Sequence, residues 1–525
     1  MTRVVTRVEG TAGDIAPWLA PRDDLVGETE APAEGATRVF LATHGPFDHY
    51  RRRVTVEPAP AARVAMTSVT EFALAIPYFT WLFALPVRRS LGRIAPPGHQ
   101  PWWAPPQRLD ARASSVLGVL ALASVVAGYL GTLLTQTITF AAAEFDLAGT
   151  RPQGNALAAV RAGIVVALAL VALADRRGRR PVLVACLAGG CAVSAAGALA
   201  PSLWVLGATQ ILARAFATAL VVLITIVAAE EVPRGARAYG LSVLGLAGGL
   251  GAGACVLALP LADLGTQAWR LLYLVPLAGL PLTRAIARRL PESRRFRAPH
   301  ALATMAGHGQ RLALLAASAF LLAAFTAPAS QLQNEFLRDE RGFSASRIAL
   351  FTVLTATPSG VGVAAGGRLA DLRGRRVVGA LGLVGGVGAT VAMFNSTGWP
   401  LWTWSVVASV TGGAVLPALG VYGPELFPTS LRGRANGLVA VLGVAGSVLG
   451  LVAAGPLADA LGGLGPALAV LALGPALLAG LVVVAYPETA RRELEELNPE
   501  DQRPAVPSGM PATPVPRQPP GRRLP

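Results

Sequence analysis

Residues 116–143 contain no charged side chain, and eleven further predominantly apolar stretches follow before residue 487. A helix rising 1.5 Å per residue needs about 20 apolar residues to cross ~30 Å of hydrocarbon. Only helices and closed barrels satisfy their backbone polar groups in that medium. These stretches are Leu, Ala, Val and Gly without barrel-like alternation, so the reading is helical. Twelve spans are expected, near 116–143, 156–174, 182–200, 203–229, 238–262, 271–290, 312–334, 346–370, 377–396, 401–422, 437–459 and 464–486. A mean hydropathy of +0.52 agrees with a protein that crosses the bilayer many times.

Charge sets the orientation. The chain has no lysine, so all 45 basic residues are arginine, and a P-loop with its Gly-Lys-Ser/Thr is excluded. A formal charge of +15 would suit nucleic acid. Most arginines instead sit in short loops between the spans, where a lipid bilayer is the expected partner and nucleic acid is not. Arg176, Arg177, Arg179, Arg180, Arg373, Arg375, Arg376, Arg432 and Arg434 follow even-numbered spans. Positive-inside therefore puts both termini in the cytoplasm of a multi-pass plasma-membrane protein. Cys186, Cys191 and Cys255 lie inside apolar runs and the five histidines outside them, so no metal or cofactor site is expected. The first residues, MTRVVTRVEGTAGD, lack the apolar core of a signal peptide.

Residues 1–113 read as a cytoplasmic extension. ATRVFLAT, HYRRRVTVEP and ARVAMTSVTEFAL alternate apolar and polar residues, which suggests a small antiparallel sheet. Residues 75–93 read as a helix at the membrane surface, with Arg88, Arg89 and Arg93 at the headgroups. The other reading makes residues 69–87 a thirteenth span, which Pro77 and Pro86 would interrupt. A Pro-rich linker then leads to six-span units at 114–290 and 312–487, separated by a loop at 291–311. Residues 488–525 form a Pro-rich tail expected to be disordered.

The two units repeat one another. LADRRGRRPV at 173–182 returns as LADLRGRRVV at 369–378, and 371 − 175 = 196 separates their aspartates. VPRGARAYGL is echoed by FPTSLRGRANGL, with Arg237 and Arg434 separated by 434 − 237 = 197. LPESRR is echoed by YPETARR, with Glu292 and Glu488 separated by 488 − 292 = 196. Three landmarks in register argue for duplicated six-helix units related by an axis along the membrane normal.

Over roughly residues 114–490 the chain resembles the major facilitator superfamily. The loop pattern Gly-x-Leu-Ala-Asp-x-x-Gly-Arg-Arg matches in full at Gly367, Leu369, Ala370, Asp371, Gly374, Arg375 and Arg376. The first copy keeps Asp175, Gly178, Arg179 and Arg180, with Val171 in place of the leading glycine. YGPELFPTSLRGRANGL and YPETARRELEEL resemble the sugar-porter and metabolite–proton symporter branch. The resemblance implies an all-α membrane fold of two six-helix bundles and a monomeric secondary transporter. Such a transporter works by alternating access on a small solute and a coupling ion, a proton here. It is not an enzyme. The resemblance also implies cytoplasmic gates that favour an outward-facing state. One would comprise Asp175, Gly178, Arg179, Glu231, Arg237 and Glu292; the other Asp371, Gly374, Arg375, Glu425, Arg432 and Glu488. The plainer reading of these charges is topology alone.

Polar groups inside spans point to a substrate cavity. Gln210, Arg214 and Thr218 share one face of span 4. Arg161 lies early in span 2, Thr132 and Gln136 in span 1, and Gln331 and Asn334 in span 7. Two intramembrane arginines favour an anionic or zwitterionic solute, and Glu144 and Glu335 are candidate coupling acids. Relatives of the symporter branch often carry an acid in span 1 where this chain has Leu130. That keeps efflux of a drug or metabolite open beside uptake, as well as a sensor or scaffold on a transporter fold.

Overall fold

The computed structural model describes residues 1–60, 63–96, 98–101, 103–105, 107–147, 149–233, 236–292, 308–420, 422–427 and 432–488. Most of the expected loop at 291–311 (residues 293–307) and the tail beyond 488 lie outside the described residues. So do the side chains of Asp175, Arg237, Asp371, Glu425 and Arg432.

The extension is a five-stranded antiparallel sheet, β1 (Thr2–Gly10), β2 (Gly27–Glu34), β3 (Thr37–His44), β4 (Phe47–Ala59) and β5 (Arg63–Leu74), in the order β1-β5-β4-β3-β2. Three of these strands match the expected alternating segments. β1 and β2 are additional, and β1 carries the same period-two signal in Thr2-Arg3-Val4-Val5-Thr6-Arg7-Val8. One face is buried, and β4 sends Tyr50, Arg52 and Val54 into it while β5 sends Met66 and Phe72. Two helices cover it: α1 (Ala12–Leu19), through Ile15 and Trp18, and α2 (Thr80–Leu91), through Val87 and Leu91.

A fully buried ion pair holds the centre of this face. Arg52 donates to Glu28 at 2.9 and 2.6 Å, to the Trp18 carbonyl at 2.7 Å and to the Ala20 carbonyl at 2.9 Å. Its guanidinium stacks 4.2 Å from the Phe40 ring centroid. Tyr50 donates to the same carboxylate at 2.5 Å, and burial with the Glu28 charge raises its phenol well above the ordinary tyrosine range. A buried charge left without partners is costly, and this one has four acceptors. Arg22 ties α2 to the sheet: it donates to the carbonyls of Leu91, Ser90 and Arg93 at 2.9, 3.0 and 2.6 Å. Those are orphan acceptors at a helix C-terminus, where a cation is favoured.

At 12 residues, α2 is ~18 Å long. That is shorter than ~30 Å of hydrocarbon; residues 69–87 comprise the end of β5, a turn and the first part of α2. The helix occupies the inner part of the expected 75–93. Trp81, Leu82 and Leu85 on its outer side are 73%, 51% and 55% exposed.

The bundle comprises α3 (Ala111–Glu144), α4 (Thr150–Val160), α5 (Gly163–Arg177), α6 (Arg179–Ala196), α7 (Leu203–Glu231), α8 (Arg237–Ala258), α9 (Arg270–Leu274) and α10 (Gly279–Arg289) in the first half. The second half holds α11 (Gly309–Gln331), α12 (Gln333–Glu335), α13 (Ala345–Ala356), α14 (Ser359–Arg373) and α15 (Arg375–Phe394). It continues with α16 (Gly398–Gly413), α17 (Val415–Leu419), α18 (Tyr422–Glu425), α19 (Arg432–Leu461), α20 (Leu464–Leu471) and α21 (Leu473–Ala485). A π-helical turn, Phe336–Glu340, follows α12.

Eleven helices among the described residues are long and apolar enough to cross a membrane. The expected eighth span, 346–370, is divided into α13 and α14 by Thr357 and Pro358. A proline removes a helix hydrogen bond and crowds the preceding turn. Leu246, Leu250, Leu257, Leu381, Leu473 and Val484 are 65–83% exposed, an apolar exterior suited to lipid. This is a multi-pass membrane protein.

Two pairs of helices approach closely at equivalent places. A Cβ on Gly251 of α8 would overlap the Val125 carbonyl of α3, and one on Gly450 of α19 would overlap the Ala324 carbonyl of α11. The Gly446 and Gly450 stripe of span 11 thus forms the contact that small-xxx-small spacing suggests. In span 5 the contact falls to Gly248 and Gly251. Gly245, Gly249 and Gly253 have open space beside them.

Candidate functional site

The repeated loops adopt one geometry twice. Gly178 (φ 102°) joins α5 to α6, and Gly374 (φ 99°) joins α14 to α15. Glu292 accepts hydrogen bonds from the backbone amides of Arg179 and Arg180 at 2.9 and 3.3 Å. Glu488 accepts from those of Arg375 and Arg376 at 3.1 and 3.3 Å. Each carboxylate sits at the positive N-terminus of a helix and satisfies two otherwise orphan donors. A Cβ on Gly178 would come within 2.8 Å of Glu292, and one on Gly374 within 2.8 Å of Glu488. Glycine therefore supplies both the backbone conformation and the room.

Arg112 extends the first cluster, donating to Glu231 at 3.1 Å and to the Glu292 carbonyl at 3.3 Å. Arg179 pairs with Glu230. These described contacts join helices of the same half: α3, α6, α7 and the end of α10 in the first, α15 and the end of α21 in the second.

Contacts between the halves gather at the opposite end. Asn334 donates to the Gln136 carbonyl and side-chain oxygens at 3.1 and 3.0 Å. Thr150 donates to Glu335 at 2.6 Å. Arg151 pairs with Asp459 at 2.9 Å. Asp263 caps α13, accepting from the amides of Ala345 and Ser346 at 2.8 and 2.8 Å. At the arginine-rich end α5 packs on α6 and α7, and α14 on α15, α16 and α17, each within its own half. Among the described residues, the contacts between the halves named here gather at the end away from the arginine-rich loops.

Glu335 is 3% exposed, and its second carboxyl oxygen is buried without a partner. Next to it lies the π-helical turn, a distortion frequent at functional sites. Glu144, the other expected acid, accepts from Trp269 at 2.6 Å and Arg270 at 2.8 Å.

A cavity of about 730 Å³ lies within the first half, among α3, α7 and α8. Arg214, Thr132 and Thr218 line its inner part, and it extends toward Thr225 and Leu241 near the arginine-rich end. Arg214 donates to the Gly131 carbonyl at 2.6 Å, which leaves most of its guanidinium donors to other partners. Arg161 sits at the C-cap of α4 and is not among the residues lining this cavity. The structure separates the other polar candidates from this space. Gln210 is buried against Gly197, Gln136 and Asn334 belong to the closed seam, and Gln331 is half-buried at the end of α11. Among the described residues no cluster of His, Cys, Asp or Glu could hold a metal ion.

Sequence reasoning did not single out Arg112, Glu230, Thr150, Arg151 or Asp263, whose contacts only the structure shows. Arg112, immediately before span 1, and Glu230, beside Glu231, were visible as charges flanking spans. Their partners were not.

Comparison with known proteins agrees with this architecture. Residues 312–520 match the model of the Major Facilitator Superfamily. No curated protein sequence matches the chain. A bacterial homologue of the human lysosomal transporter Spinster, inward-facing and unoccupied, superposes with TM-score 0.60 at 16% identity, over 75% of this chain and 99% of that one. The inward-open xylose transporter XylE from E. coli superposes with TM-score 0.60 at 16% identity, over 74% and 99%. The nucleoside transporter NupG superposes with TM-score 0.58 at 14% identity, over 71% and 100%. The chain shares the fold of these three structures, and its second half matches the Major Facilitator Superfamily.

Proposed function

We propose that this protein is a secondary active transporter that takes up a small polar, anionic solute by alternating access, driven by protons. The observation that carries the reading is the asymmetry of the bundle. The halves are joined beside Gln136, Thr150 and Asp263, while the cavity holding Arg214 extends toward the other end. A site reached from one end with the other end closed is what one state of an alternating-access cycle requires.

Arg214 supplies the charge for an anion, since an arginine inside a span needs water or a partner. Thr132 and Thr218 add hydroxyl groups to the same cavity. Arginine-rich loops place the open end and both termini in the cytoplasm of a plasma-membrane protein, and the bundle acts as a monomer. α13 and α14 together make the twelfth crossing. The conformation is then inward-facing, and the gate clusters of the two halves come together on the cytoplasmic side in the outward-facing state. There Asp175 and Asp371 meet helix ends of the opposite half.

Glu335 is the coupling group. An ionised carboxylate with one oxygen lacking a donor is costly to bury, so the seam closes most readily over the neutral acid. Opening it would expose Glu335 to outside water and let the proton exchange.

Proteoliposomes with an imposed pH gradient test the reading, with a panel of small anions as candidate solutes. Accumulation that collapses with a protonophore is expected. Accumulation only when the gradient is reversed would assign efflux, and no flux in either direction would sink the transport reading.

A further inference from the structure

We propose that the junction between the sheet domain and the bundle binds an acyl chain of an anionic membrane phospholipid. A cavity of about 480 Å³ lies there, within the ~300–1,000 Å³ usual for small-molecule sites. Leu82 and Phe83 of α2, Leu117 and Ala121 of α3, and Val243 and Leu250 of α8 form its walls. Two polar side chains of its lining, Arg108 and Tyr239, are engaged elsewhere. Arg108 donates to the Asp24 carbonyl at 2.8 Å and pairs with Asp23, and Tyr239 donates to the Trp103 carbonyl at 3.2 Å. Such a wall suits a hydrocarbon chain and offers little to a water-soluble solute.

Three further observations select a membrane lipid. The mouth faces the bilayer: Leu82, Leu246 and Leu250 are 51%, 73% and 65% exposed, and the last two belong to a helix long and apolar enough to span. Ser114, in the first turn of α3, lines the cavity, is 3% exposed, and has a hydroxyl without a partner. That depth matches the glycerol region, where an ester carbonyl would accept its hydrogen. Arg88, Arg89 and Arg93 follow the apolar wall along α2 and are exposed, which places cations where a phosphate headgroup would lie. The bound chain would touch α2, α3 and α8 together, so lipid would help fasten the sheet domain to the first half.

The test uses the full chain in phosphatidylcholine nanodiscs carrying a minor fraction of phosphatidylglycerol with a photoreactive diazirine on one acyl chain. Crosslinks are expected within 76–87, 114–121 and 239–250. Arg88→Gln with Arg89→Gln should reduce them roughly tenfold or more, given about 1 kcal/mol per surface arginine. Ala121→Trp, which fills the cavity, should also remove them while transport continues. If that variant does not fold, Leu82→Gln at the exposed mouth should weaken the same labelling. Crosslinks spread evenly over the lipid-facing helices, or unchanged in a folded Ala121→Trp protein, would overturn the site. Equal labelling by a phosphatidylcholine probe would overturn the anionic headgroup.

Discussion

At the scale of single residues, the carboxylates separate into two kinds of work. Glu292 and Glu488 receive backbone amides at helix starts, an arrangement worth ~0.5–2 kcal/mol by analogy with other side-chain caps. Replacing either by Ala is expected to lower the melting temperature of the detergent-solubilised protein modestly, and Gln should recover part of the loss. Glu335 has a different signature, buried with one oxygen unpaired. Glu335→Gln should therefore preserve folding and solute exchange while abolishing accumulation driven by a pH gradient. Retained gradient-driven accumulation would remove it from the coupling step. In the sheet domain, Arg52→Met strands the Glu28 carboxylate and should cost about 3–5 kcal/mol, whereas Arg52→Met with Glu28→Leu should restore much of it. Differential scanning of the full chain reads both.

Elements show how an identical residue acquires different meanings by facing. Along α8, Gly248 and Gly251 turn toward α3, while Gly249 and Gly253 turn toward open space. Gly251→Leu should prevent folding, since its side chain would displace the α3 backbone. Gly253→Leu should leave the melting temperature within about 2 °C, as surface changes usually cost little. The small-residue spacing of span 5 was readable, but it fits more than one face of a helix, and only the neighbour selects between them. β1 shows the reverse: its alternation is in the chain, yet it becomes an edge strand because β5 offers it nine register pairs. The division of span 8 falls at Pro358, but Pro328 in α11 and Pro456 in α19 lie inside continuous helices, so context decides which proline breaks a span.

On the scale of the whole molecule, the seam and the gates predict a measurable rearrangement. If the proposed alternating access holds, spin labels at Leu147 and Leu461, beside the closed end, should move apart in the outward-facing state. Labels on the two arginine-rich loops should approach, and no anticorrelated change between the pairs would refute the rocking model. The spans, the duplication and the arginine-marked loops could be read from the chain because each rests on local chemistry: hydropathy, charge, and a repeat of about 196 residues. The same is true of the gate clusters as charged landmarks. Which of their members meet was decided only by folding, as with Glu292 and two amides 113 and 112 residues away. So was the assignment of Gln136 and Asn334 to a seam and Arg214 to a cavity. Hydropathy acts residue by residue and survives in any arrangement, whereas a site exists only where residues distant along the chain are brought within hydrogen-bonding distance.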